Sequence, residues 1–225
     1  MKYTYYGHSC FLIEVDSRKI LFDPFISGNE LATHIDIKSI DADFILVSHG
    51  HGDHVGDLVE IAKRTGALVI GAYEVVGWAQ NNGISNVHPM NFGTYNFEFG
   101  KLKFLPAWHS SMLPDGSYGG NPGGFLLMTN EGNFYYSGDT CLMMDMKLMS
   151  RYAKLDFAIL PVGGNFTMDA DDAVIAAEFI ECNKIIGVHF DTFGYIKVDH
   201  NEIKEKFRAT GRELLLPKIG ETINL

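Results

Sequence analysis

Cysteine is scarce in this chain: Cys10, Cys141 and Cys182 are the only three in 225 residues. They form no Cys-x-x-Cys pair and their odd number leaves one over. That argues against a disulfide framework and a cysteine-rich zinc site, and for a reducing compartment. Cations are also in the minority, 18 Lys and Arg against 28 Asp and Glu for a formal net charge of −10. This balance disfavours the long phosphate-tracking surface of a nucleic-acid binder, while leaving room for a local basic pocket. No apolar run approaches the roughly 20 residues that span a bilayer. The opening Met-Lys-Tyr-Thr-Tyr-Tyr-Gly-His has neither the apolar stretch nor the small-residue cleavage site of a secretory signal. The expectation is a cytoplasmic protein that meets neither membrane nor nucleic acid. No linker, low-complexity stretch or charge block divides the chain, so residues 1–225 read as one domain.

What is present is an apolar content of 46%, enough to bury a core without disulfides or a structural metal. Alternation and turn residues predict short strands over 2–6, 11–15 and 19–22, the last two joined at Asp16-Ser17-Arg18. Phe44-Ile45-Leu46-Val47 is continuously apolar, as a strand covered on both faces is, and runs into Ser48-His49-Gly50-His51-Gly52-Asp53-His54. Val55, Leu58, Val59 and Ala62 then recur at helical spacing up to Gly66. A strand over 67–71, a helix over 74–80 and a hairpin of 95–99 with 102–105, turning at Gly100-Lys101, follow. The stretch 108–124, rich in Gly, Pro and Ser, reads as a long loop of the kind that is commonly functional, and His109 stands near its start.

The second half echoes the first. Phe125-Leu126-Leu127-Met128 with Phe134-Tyr135-Tyr136, ending at Gly138-Asp139, parallels Phe11-Leu12-Ile13-Glu14 with Ile20-Leu21-Phe22, ending at Asp23. Residues 156–160 parallel 43–47 in the same way. Ala170, Ala173, Val174, Ala177 and Ile180 trace one helix face, 201–210 is a further helix, and the buried strand Ile185-Ile186-Gly187-Val188 ends in His189. The pattern is α/β: two packed sheets with helices outside.

The chemistry centres on His49-x-His51-x-Asp53-His54 at the carboxyl end of an apolar strand, where α/β proteins place binding groups. In an extended loop, residues two apart point the same way, so His49 and His51 can share one cation. Asp53 and His54, at the start of the helix, can face a second. Imidazole suits zinc, iron and nickel, and the added carboxylate tolerates manganese; the expected cofactors are two divalent ions, zinc first. The bland alternative makes Asp53 a helix N-cap and the histidines part of a solvated loop. Four ligand-type residues in six positions, spaced by two glycines, weigh against it. His34, His88 and His200 have no such context and read as surface or structural.

This motif resembles the signature of the metallo-β-lactamase superfamily. The resemblance implies a four-layer αββα sandwich, two mixed β-sheets flanked by helices. It also implies that the remaining ligands are a His, an Asp and a His further along the chain; His109, Asp139 and His189 follow strands in that order. On that pattern His49, His51 and His109 hold the first metal, Asp53, His54 and His189 the second, and Asp139 bridges them. The Gly7-His8-Ser9-Cys10-Phe11 opening, the Leu21-Phe22-Asp23-Pro24-Phe25 segment and the turn from Gly163 to Asp169 narrow the similarity. They resemble small single-domain metal-dependent hydrolases related to ascorbate-6-phosphate lactonase, over nearly the whole chain. In such folds Asp23 sits behind the metal loop and accepts hydrogen bonds from it; without the resemblance an Asp-Pro turn explains it equally well.

The implied activity is hydrolysis of an ester, lactone or phosphoester of a small metabolite by a hydroxide between the metals. Asp53 would hold or accept the proton, with His189 or His8 near the departing group; for His8 a satisfied core histidine is the rival. A Cys10–His8 nucleophile lacks an oxyanion-hole feature, and the glycine-rich 119–124 lacks the Lys-Ser/Thr ending of a phosphate-binding loop. Trp108, Tyr118, Phe166 and Tyr195 are candidates for a pocket wall, though aromatic residues are more often core. Two alternatives share the fold. A diiron oxygen or redox enzyme is one, but such relatives usually carry Glu in place of His51 and an added flavin domain, neither present here. A nucleic-acid phosphodiesterase is the other, opposed by the acidic balance. A small-molecule substrate is the expected partner, and homo-oligomers are common among relatives.

Overall fold

A computed structural model describes residues 1–225. Strands β1 (Lys2–Gly7), β2 (Cys10–Val15) and β3 (Arg18–Phe22) form an antiparallel meander, to which β4 (Phe44–Val47), β5 (Leu68–Ala72) and β6 (Val87–Met90) add in parallel. Helices α1 (Gly52–Val55) and α2 (Leu58–Thr65) join β4 to β5, and α3 (Tyr73–Asn81) joins β5 to β6. The second sheet repeats the plan: β7 (Thr94–Phe97), β8 (Gly100–Pro106), β9 (Gly123–Thr129) and β10 (Gly132–Tyr136) are antiparallel. After them β11 (Phe157–Pro161), β12 (Lys184–Val188) and β13 (Glu213–Leu215) run parallel. Their connections carry α4 (Met149–Tyr152), α5 (Ala170–Phe179) and α6 (His200–Ala209), and β14 (Thr222–Asn224) returns to pair with β1. The runs β1–β6 and β8–β13 share order and direction, so the echo in the sequence corresponds to two like halves. Two seven-stranded mixed sheets flanked by helices make the αββα sandwich that the resemblance implied.

One apolar cluster of 64 residues draws on both sheets, so displacing one sheet exposes the core of the other. Its centre is aromatic: Phe11 stacks on Phe22 at 4.5 Å, and both meet Tyr136 edge-on at 5.1 and 5.8 Å, with Phe125 and Phe134 adjoining Phe22. Fully burying such a ring contributes about 1.5–3 kcal/mol, and Tyr136 of this cluster donates to Asp23, the residue after β3. Helices α5 and α6 begin where Asp169 and Asp199 accept hydrogen bonds from the first free N–H groups.

Three local expectations are corrected. The helix after the histidine motif is broken between Val55 and Leu58. Buried Asp57 turns its carboxylate to the N–H groups of Ile26 (2.5 Å) and Ser27 (2.9 Å) while its own N–H donates to Pro24. Apolar spacing does not register this break because both helices bury the same stripe. The β7–β8 hairpin turns at Glu98-Phe99, with Gly100 already in β8 at φ +132°, where a Cβ would lie 2.5 Å from the Met128 carbonyl. Strands β6, β13 and β14 were unanticipated, being three- or four-residue pieces at or near the sheet edges. No helix is long and apolar enough to cross a membrane.

Candidate metal centre

The carboxyl ends of the parallel strands meet at one rim of the sandwich. Asp23 follows β3, the His49–His54 motif follows β4, Asp139 follows β10 and His189 follows β12, while His109 lies in the loop after β8 and His8 in the β1–β2 turn. The two like halves thus set Asp23 and Asp139 at equivalent strand ends, and these carboxylates flank one ring. His54 Nδ1 lies 2.9 Å from Asp23 Oδ2 and its Nε2 lies 3.2 Å from Asp139 Oδ2.

The structure brings all seven sequence-derived candidates together. Ligand atoms of His49, His51 and His109 lie within 4.8 Å of one another, as do those of Asp53, His54 and His189 together with His8. Between the groups sits Asp139, whose Oδ2 is 2.9 Å from His189 Nε2, 3.2 Å from His54 Nε2 and 3.7 Å from His109 Nε2. Asp139, His49 and His54 form a third such cluster.

Buried polar atoms without partners test whether these residues suit metal. Asp139 Oδ1 and His189 Nδ1 are buried with no hydrogen-bond partner, and the one close neighbour of buried His54 Nε2 is Asp139 Oδ2 at 3.2 Å. Each such orphan costs about 1–3 kcal/mol, so orphans on neighbouring residues of this cluster mark a place that polar or charged matter fills. Tautomers agree. Ser48 Oγ donates to Asp23 Oδ2 (2.6 Å), so His49 Nδ1–H donates to Ser48 Oγ (3.0 Å), leaving His49 Nε2 as a lone pair facing the cluster. Burial pushes His49, His51 and His109 below the ordinary histidine range, keeping them neutral at pH 7, the form that binds metal. Burial also opposes a charged His54, but Asp139 and Asp23 outweigh it and raise His54 well above that range. The field that holds a proton there favours a divalent cation in its place. Asp139, despite burial, is held well below the carboxylate range by His189 and His54. The set of imidazoles and carboxylates, without thiolate, fits zinc and its harder neighbours.

Asp23 and His8 support this cluster from behind. Fully buried Asp23 accepts from Ser48 N–H (2.7 Å), Ser48 Oγ, Tyr136 Oη (2.5 Å) and His54 Nδ1–H. His8 is buried and forms no part of the cleft wall; its Nε2 lies 3.1 Å from Asp53 Oδ2 and its Nδ1 3.0 Å from Thr192 Oγ1. His8 thus meets the cluster through its Asp53 contact and its ring beside His189, at 4.2 Å, rather than through the cleft surface. Burial pushes His8 down to about 4, so it is the neutral ring that donates to Asp53. Burial works against ionisation of Asp53, but the His8 hydrogen bond and the neighbouring His54 charge prevail and hold it below the carboxylate range.

The backbone is strained at this rim. His8, Asp23, His189 and Asp191 all have positive φ, between 41° and 64°, each costing about 1–3 kcal/mol. His189 N–H donates to the His8 carbonyl, tying the two sheets together there. Gly163, at the end of β11, passes so close that a Cβ would lie 2.1 Å from the His189 carbonyl.

Above the cluster opens a cleft of about 740 Å³, a size that suits a small molecule. His51, Asp53, His109, Asp139 and His189 form its floor, and Glu30, Ser110, Phe166, Thr192, Phe193 and Tyr195 rise around it. Phe166 and Tyr195, considered from sequence, do line it; Trp108 instead flanks Cys141 and Met143 at another depression, and Tyr118 bonds Asn121. Ser110, Thr192, Phe193 and Glu30 were missed. For the first three, adjacency to His109 and His189 was the available signal; Glu30 had none. His34, His88 and His200 lie outside the cluster, bonded to the Ile219 carbonyl, packed on Tyr95, and paired with Asp191 respectively.

Comparison with known proteins adds the following. A family model described as the Beta-lactamase superfamily domain matches residues 2–189. A UPF0173 metal-dependent hydrolase of Flavobacterium johnsoniae is 52% identical over 226 residues, covering 100% of both chains. The structure of a metallo hydrolase from the archaeon Ignicoccus hospitalis superposes with a TM-score of 0.88 at 31% identity, covering 99% of this chain and 97% of that one. A metallo-β-lactamase fold protein of Bacillus subtilis superposes with a TM-score of 0.75 at 14% identity, a likeness of fold alone, covering 99% of each chain.

Proposed function

The chain belongs to the β-lactamase superfamily and, within it, to the UPF0173 metal-dependent hydrolases, and on that premise we propose that it hydrolyses an ester, lactone or phosphoester of a small cytoplasmic metabolite with two divalent cations. The observation that carries this reading is the convergence of seven donor side chains, Asp139 among them, in overlapping clusters beneath an open cleft. His49, His51 and His109 would hold one ion, Asp53, His54 and His189 the other, with Asp139 between them and zinc the first choice. Such ions, when bound, acidify water toward neutral pKa and polarise a carbonyl or phosphoryl oxygen.

The chain's own residues supply the rest. Asp53, part-exposed to the cleft and anchored by His8 Nε2–H, is the group that holds or accepts the proton. His189, with Nε2 2.9 Å from Asp139 Oδ2, lines the cleft and bounds the space the departing group occupies. Asp23 fixes the His54 ring through Nδ1, and Thr192 fixes His8. The unpaired cysteines support a reducing, cytoplasmic setting.

Purified protein loaded with zinc or manganese should hydrolyse members of a panel of lactones, carboxylic esters and phosphodiesters, and lose that activity to a chelator. Turnover that survives complete metal removal, or a metal-replete protein inert toward the entire panel, would overturn the reading. Asp53→Ala should abolish turnover while leaving the far-ultraviolet spectrum unchanged; an undiminished rate would remove Asp53 from its role.

A further inference from the structure

We infer that the outer cleft is a subsite for an uncharged, aromatic or apolar substituent of the substrate, and that it rejects a phosphate-bearing one. The inference rests on the hydrolase reading above and concerns the part of the substrate remote from the bond cleaved.

Three large side chains, Phe166, Phe193 and Tyr195, stand on the wall, with Phe166 and Tyr195 edge-to-face at 6.2 Å. Phe166 is 48% and Tyr195 79% exposed. Aromatic surface held in water beside a reactive floor is the usual form of a site whose ligand completes the packing. None of the 18 Lys and Arg residues is among those lining the cleft. Away from the floor its one carboxylate is Glu30, which is exposed. A phosphomonoester carries about −1.5 to −2 charge at pH 7 and is met by Arg, Lys or free helix N–H groups. Here the helices that follow the Phe166 and Tyr195 loops, α5 and α6, have their first N–H groups already taken by Asp169 and Asp199. Cations on the floor attract the reacting group, but they give no second anchor for a charged tail. The wall therefore lacks the cationic anchor that a phosphorylated tail requires.

The test uses the full metal-loaded protein and two non-hydrolysable lactams, one with a phenyl tail and one with a phosphomonoester tail, with binding followed by calorimetry. The phenyl compound should bind at least about tenfold more tightly. Phe166→Ala combined with Tyr195→Ala should weaken it about fivefold or more, as loss of aromatic packing does, without affecting the phosphate compound. Glu30→Lys should strengthen the phosphate compound. Equal or tighter binding of the phosphate compound, no detectable binding of either at millimolar concentration, or phenyl affinity unchanged in the double variant would overturn the subsite. The matching lactones are assayed in parallel. The matching carboxylic esters and phosphodiesters are assayed with them, and if the binding preference holds while none of these compounds is cleaved, the hydrolase reading above fails and the subsite stands.

Discussion

At the scale of single residues, the cluster is ordered by the few hydrogens that its buried polar groups share. Asp23 accepts four hydrogen bonds, one of which sets the His54 ring and another the Ser48 hydroxyl that sets His49. Asp23→Asn keeps the shape but exchanges two acceptor lone pairs for two donors that face Ser48, Tyr136 or His54. Metal affinity is expected to fall by about tenfold or more, as for other groups that orient a ligating imidazole, with the fold retained; a metal titration of this variant beside the parent checks it. His8 gives a pH signature. Burial lowers it from an ordinary 6.5 to about 4, so between these values the unfolded chain takes a proton that the folded chain refuses. Stability of the metal-free protein should therefore fall as pH drops from 6.5 toward 4, by up to about 3 kcal/mol from this residue. Urea midpoints measured across that window should decline less steeply for His8→Asn than for the parent, and equal slopes would contradict the placement of His8. Histidine spacing made the His49–His54 motif legible in the sequence. The Asp23 bonds were foreseen only through family resemblance, because nothing local separates a buried acceptor from an Asp-Pro turn.

At the scale of elements, strand ends do the positioning, and they do so under strain. His8, Asp23 and His189 sit in the left-handed region although none is glycine, which no hydrophobic pattern reveals. Gly163 packs on the His189 carbonyl at a distance that leaves no room for a methyl group. Gly163→Ala should shift His189, lower the thermal midpoint and weaken metal binding. Gly77 lies inside α3 with nothing within 4 Å of where a Cβ would stand, so Gly77→Ala should stabilise by about 0.5–1 kcal/mol and leave metal binding unchanged. Thermal melts and metal titrations on this pair separate strain at the rim from a general intolerance of added bulk. Wholly buried strands such as β4 and β11 were readable because burial on both faces leaves a continuous apolar run. The break between α1 and α2 was not, since Asp57 is recruited by the distant Ile26 and Ser27 amides.

For the whole molecule, two like halves close over one aromatic core and meet at one rim, so distant residues become neighbours only when both sheets are in place. The echo of Phe11–Asp23 in Phe125–Asp139 was visible in the sequence. Its consequence, two carboxylates on either side of His54, required the packed sheets. The short edge strands β13 and β14 left too little pattern to read, as did Glu30, which reaches the cleft from a segment with no motif. Because the ligands come from both halves, metal should hold the halves together: chelation is expected to lower the thermal midpoint, and calorimetric melts with and without chelator measure that shift.

The most direct measurement of the central claim is metal stoichiometry after reconstitution and desalting, by elemental analysis of the parent protein, His109→Ala and His189→Ala. Two ions per chain are expected in the parent and about one in each variant. A parent that holds fewer than two would contradict the dinuclear centre and the hydrolytic chemistry proposed for it, and variants that both keep two would contradict the place of His109 and His189 in it.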